Sequence, residues 1–149
     1  MATLRPAVSS YLRTQALGAG LINLVVNPAI DWLTSRHKPP QPVWGLDGLV
    51  VNFVITSLIL ATLVGAFAAW GVRREGRAGR LAVRPTPRGW LAGLALGAVS
   101  AVATVVAAWV LHAVGVTTLS LVPLMLIKGL YSGTLAFLVA RWVISRSVQ

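Results

Sequence analysis

The chain has 149 residues, of which 56% are hydrophobic and 11% charged, with a formal net charge of +10 and no cysteine. A soluble domain carries roughly 25% charged residues, so a water-coated globule is excluded, as are disulfides, thiolate metal sites and cysteine nucleophiles. The positive charge does not mark a nucleic-acid binder, because it lies mostly at the ends of long apolar runs, where membrane topology puts it.

A bilayer core of about 30 Å needs about 20 apolar residues as helix. Four stretches qualify, which predicts an all-α bundle of four transmembrane helices forming a single domain over residues 1–149. The first span covers residues 11–32. Asn23, Asn27 and Asp31 interrupt it at a spacing of four, which on a helix makes one stripe. Pro28 removes a backbone donor, leaves the Leu24 carbonyl without its usual partner and predicts a kink. The length of the span, its two asparagines and the lack of a small-x-small site argue against a cleaved signal peptide.

Residues 33–48 form a loop containing Lys38-Pro39-Pro40-Gln41-Pro42, which cannot be helical throughout. The second span covers 49–70, with Asn52, Thr56, Ser57 and Thr62 as its polar residues and a small-residue series at Ala61, Gly65 and Ala69. Residues 71–88 carry Arg73, Arg74, Arg77, Arg80, Arg84 and Arg88. These serve as a topology anchor, and binding of anionic lipid headgroups comes with that charge.

The third span covers 89–111. Gly89, Gly93, Gly97 and Ala101 recur every four residues, a smooth strip on which another backbone can approach, with Ser100 and Thr104 beside it. Packing inside the bundle is the simpler reading of this strip; a homodimer seam is the other. The short link from His112 to Thr118 has no Lys or Arg. The fourth span covers 119–143 and holds Lys128, Ser132 and the glycines Gly129 and Gly133.

Placing the arginine loop inside puts both termini inside as well. Of the 13 Lys and Arg, only Arg36 and Lys38 then fall outside, and Lys128 falls within the membrane. Tryptophan favours the interface, and Trp70, Trp90 and Trp142 fall at inner ends, with Trp32, Trp44 and Trp109 near the outer side. This predicts a multi-pass protein of the cell inner membrane with cytoplasmic termini. Leu17-Gly18-Ala19 and Leu96-Gly97-Ala98 open the first and third spans alike, which suggests a parallel duplication of one helix pair.

At 1.5 Å per residue, Asn23 and Lys128 lie about 13 Å from the outer ends of their spans, and Asn52 and Thr56 about 5–10 Å. Lys128, Asp31, Asn23, Asn27, Asn52 and Thr56 are therefore expected to converge in the outer half of the bilayer. A lysine facing lipid at mid-helix costs about 2.5–3.5 kcal/mol on insertion scales, and Asp31 is its natural partner. One reading is a lock holding the bundle together. The other is a small transporter or a site for a polar or anionic ligand, since intramembrane ionisable residues are functional candidates by default.

His37 and His112, with Asp31 and Asp47, show no metal-ligand spacing, and Ser132-Gly133 lacks a nucleophile motif. No phosphate-binding loop or paired carboxylates occur, so neither an enzyme nor a bound cofactor is expected. The partners expected are the lipid bilayer, a second copy of the chain or a larger membrane protein that it assists. The asparagine-bearing first span, the turn Pro42-Val43-Trp44-Gly45 and Arg73-Arg74 followed by Arg77-Ala78-Gly79-Arg80-Leu81 resemble small four-span membrane proteins of bacteria. The resemblance covers mainly residues 12–81 and implies the four-span fold without an activity.

Overall fold

A computed structural model describes residues 4–83 and 88–148, with side chains from residue 8 onward. Arg84 of the arginine loop lies outside the described residues. Four helices account for most of the chain: α1 (Leu4–Ser35), α2 (Leu49–Arg77), α3 (Gly89–Ala113) and α4 (Leu121–Ser147). All four are long and apolar enough to cross a membrane, so the chain is a multi-pass membrane protein built as a helical bundle.

The helices overshoot the apolar runs. α2 continues through Arg73, Arg74 and Arg77, which the sequence reading assigned to a loop. Nothing breaks the helix until Ala78 and Gly79, where Gly79 adopts a φ of +69° that other residues rarely take. The long arginine side chains are good helix formers and reach water from the last turns. α1 runs unbroken through Pro28 to Ser35. α4 starts at Leu121 and not at Leu119, because Thr118–Leu119 (β2) pair antiparallel with Gln41–Pro42 (β1). The Val43 amide extends this ribbon by donating to the Thr117 carbonyl at 2.9 Å. The ribbon ties the α1–α2 loop to the α3–α4 loop at one end of the molecule. Arg73, Arg74, Arg77, Arg80 and Arg88 gather at the other.

Consecutive helices usually pack on each other. Here α1 and α2 scarcely meet, and α3 touches α4 only thinly. Instead α1 packs along α4, α3 along α2, and α2 against α4. The two helical hairpins therefore interlock. Exchanging α1 with α3 and α2 with α4 leaves this pattern unchanged and carries β1 onto β2. That is the arrangement a duplicated hairpin takes about a two-fold axis parallel to the helices.

Glycine lets both outer helices in. The strip Gly89, Gly93, Gly97 and Ala101 is buried against α2, as bundle packing requires. A Cβ on Gly97 would stand 2.8 Å from the Ser57 carbonyl oxygen, and one on Gly93 would overlap the Ala61 carbonyl oxygen. On the other side a Cβ on Gly133 would stand 3.0 Å from the Gly20 carbonyl oxygen. Between the seams Ala61, Ala69, Leu135, Val139 and Val143 form the α2–α4 core.

Candidate functional site

Gly129, one residue after Lys128, sets up the polar centre. A Cβ there would stand 2.8 Å from Pro28 Cγ and 3.0 Å from the Leu24 carbonyl oxygen. The proline ring and the carbonyl it deprives of a donor thus lie directly on the α4 backbone. That approach brings Asp31, one turn beyond Pro28's own, over Lys128.

Lys128 is 5% exposed and Asp31 also 5%. The Lys128 ammonium Nζ donates to Asp31 Oδ1 at 2.6 Å and to Asn52 Oδ1 at 2.7 Å. Thr56 Oγ1 stands 3.5 Å from the same asparagine oxygen. Three helices therefore converge on one ammonium, within two turns of the ribbon end. This is the one buried ion pair among the described residues. The pair is incomplete. Asp31 Oδ2 is buried with no hydrogen-bond partner, and an ammonium has three N–H donors, of which these bonds use two. Asn52 is exposed on α2, and α1 and α2 scarcely meet.

Asn23 and Asn27, expected beside the lysine, are not brought to it. Asn23 Nδ2 donates to the Ala19 carbonyl at 2.8 Å, and Asn27 Nδ2 to Asn23 Oδ1 at 3.2 Å. Their amides bond back along α1 and not across to α4. The link between the helices at this depth is made by Ser132, whose Oγ donates to the Asn23 carbonyl at 2.9 Å.

A second polar cluster lies one turn further along α4, on the adjoining face toward α2 and α3. Tyr131 meets hydroxyls from two other helices: Ser57 of α2, Ser100 of α3 at 2.7 Å and Thr104 of α3 at 2.9 Å. Its ring packs on Phe53, with centroids 5.4 Å apart. The sequence reading placed Ser100 and Thr104 beside the glycine strip but passed over Tyr131. A tyrosine three residues from Lys128 in mid-span was the available signal, since a buried phenol needs a partner. Beside this cluster an apolar cavity of about 290 Å³ is lined by Val50, Phe53, Thr104, Ala108, Leu119 and Tyr131 among others.

At the other end Arg73, Arg77 and Arg88 are exposed. Arg80 meets Glu75 at 3.2 Å. Arg74 lies over Trp70 and Arg146 over Trp142, 5.9 and 4.3 Å from the ring centroids. Comparison with protein-family models, with curated proteins and with solved structures finds no match.

Proposed function

We propose that this chain is a small membrane transport or solute-binding protein whose working centre is the Lys128–Asp31–Asn52 cradle. The carrying observation is the buried, unpartnered Asp31 Oδ2. Buried polar groups are nearly always paired, and an exception calls for a reason. A lock evolved only to hold helices would use both carboxylate oxygens. A cradle that takes and releases a ligand keeps one free. The bound solute is small and polar. A free anion fits less well than charge counting alone suggests, because Asp31 already neutralises Lys128.

In this reading the ribbon end faces outward and the arginine end faces the cytoplasm of a bacterial cell, as the arginine bias supports. The cradle then opens in the outer half of the bilayer, and the arginines hold anionic lipid at the inner surface. The test is electrical recording from proteoliposomes challenged with a panel of small polar solutes. Wild type is expected to give a solute-dependent signal that the folded double variant Lys128→Met, Asp31→Asn lacks. Equal signals from both would end the proposal. The alternative is an accessory subunit of a larger membrane complex. It draws support from α1, which packs mainly on α4 and leaves Leu21, Ile22, Val25 and Leu33 uncovered. Stoichiometric co-purification of a membrane partner, with silent proteoliposomes, would favour it.

A further inference from the structure

We propose that the cradle is a binding site for a small monovalent cation, with the Lys128 ammonium as a tethered occupant that the cation displaces. The inference rests on the reading of the cradle as a working centre and names its ligand.

The lining is that of a cation site. Every group shown against Nζ is an oxygen: Asp31 Oδ1 at 2.6 Å and Asn52 Oδ1 at 2.7 Å, with Thr56 Oγ1 next to the latter. Hard cations take carboxylate, amide and hydroxyl oxygens. The unpartnered Asp31 Oδ2 is an additional ligand that the ammonium leaves unused. A bare ion can contact both carboxylate oxygens at once, whereas the Lys128 ammonium here meets one. Remaining positions can be filled by water on the exposed side of Asn52.

Charge selects the valence. The chain has three carboxylates. Asp47 lies in the ribbon-end loop and Glu75 at the arginine end of α2, so Asp31 alone serves the cradle. One carboxylate balances one positive charge. A divalent ion would leave a buried net charge, which is costly in a low-dielectric site. An anion would find a single spare N–H and a repelling carboxylate. Exchange of Lys128 for a monovalent cation keeps the centre neutral at both ends of the step, and no bond is made or broken. The lysine has a place to go. Its flexible stem can carry the ammonium toward water at the nearby ribbon end.

The chain has only two lysines, which makes the exchange measurable. Lys128 is buried, and Lys38 in the exposed loop is an internal reference. Purified wild-type protein is labelled with an amine-reactive reagent in lithium, sodium, potassium or choline chloride at one ionic strength, and each lysine is quantified by mass spectrometry. Displacement predicts that one alkali cation at ten times its dissociation constant raises the Lys128-to-Lys38 labelling ratio about tenfold over choline. Asp31→Asn should make the ratio insensitive to the salt. A ratio equal in all four salts overturns the inference. A second measurement needs no lysine chemistry: Lys128→Met should gain a thermal shift from the same alkali cation, lost on adding Asp31→Asn. Absence of that shift in a folded Lys128→Met variant is also fatal. Should these fail while the proteoliposome signal still depends on Lys128, the working centre stands and only its cation assignment falls.

Discussion

The two outer helices are held by the same device in different degrees. α3 lies on α2 through Gly65, Gly89, Gly93 and Gly97, where a Cβ on Gly65 would stand 2.5 Å from the Gly89 carbonyl oxygen and 2.9 Å from Gly93 Cα. α1 lies on α4 through Gly20, Gly129 and Gly133, where the corresponding approaches are 3.2, 2.8 and 3.0 Å. The tighter seam carries no charge. The looser one carries the buried ion pair. The polar groups differ in the same way. Around Tyr131 each group has a partner, whereas Asp31 keeps one oxygen without any. One seam is thus close-packed and fully paired, and the other is looser and carries the unpaired carboxylate oxygen.

The largest expected effect is on the looser half. Lys128→Met removes the charge and keeps most of the apolar stem, leaving a buried, unpaired Asp31. Removing one partner of a buried pair costs about 3–5 kcal/mol. The melting temperature in mild detergent should fall accordingly, and adding Asp31→Asn should recover much of the loss, with a coupling energy that a double-mutant cycle reads directly. If the single variant melts like wild type, the pair contributes nothing and the two halves do not differ as described.

The next effect falls on the tighter half. Gly93→Ala adds only a methyl group, yet that carbon overlaps the Ala61 carbonyl oxygen, so the α2 backbone must yield. Overpacking of this kind costs about 1–3 kcal/mol. Gly20→Ala, whose Cβ would meet Phe137 Cβ and the Gly133 carbonyl oxygen at 3.2 Å, should cost clearly less in the same assay. Equal losses would erase the difference between the seams.

The four spans and the glycine strip were legible in the sequence because each rests on a period that the chain states locally. Lys128, Asp31 and Asn52 were legible because a charge in hydrocarbon restricts its own surroundings. Asn23 was expected level with Lys128, but it lies against Ser132, one turn further along α4, and depth does not say whether an amide bonds across or along its helix. That depends on how close α4 comes, which Gly129 and Gly133 decide from another part of the chain. The ribbon was hidden in a Pro-rich loop because pairing Gln41 with Leu119 is a contact between distant segments with no local pattern. The interlocking of the hairpins was hidden for the same reason.

The smallest expected effect tests the contrast between the polar clusters. Tyr131→Phe keeps the ring on Phe53 and deletes the hydroxyl where Ser57, Ser100 and Thr104 meet. Ser57 Oγ still donates to the Phe53 carbonyl at 2.6 Å and Thr104 Oγ1 to the Ser100 carbonyl at 2.9 Å. All three hydroxyls lose Tyr131, but only that of Ser100 is left without another bond, and its rotor can turn toward Thr104 or toward a carbonyl of its own helix. The loss should therefore be about 1 kcal/mol, that of one ordinary hydrogen bond, and it should be independent of salt type, since no ion is involved. A drop as large as that of Lys128→Met would mean that the hydroxyl cluster, and not the ion pair, is the sensitive joint of the bundle. A change in the salt dependence of Lys128 labelling would mean that the two polar clusters on α4 are coupled.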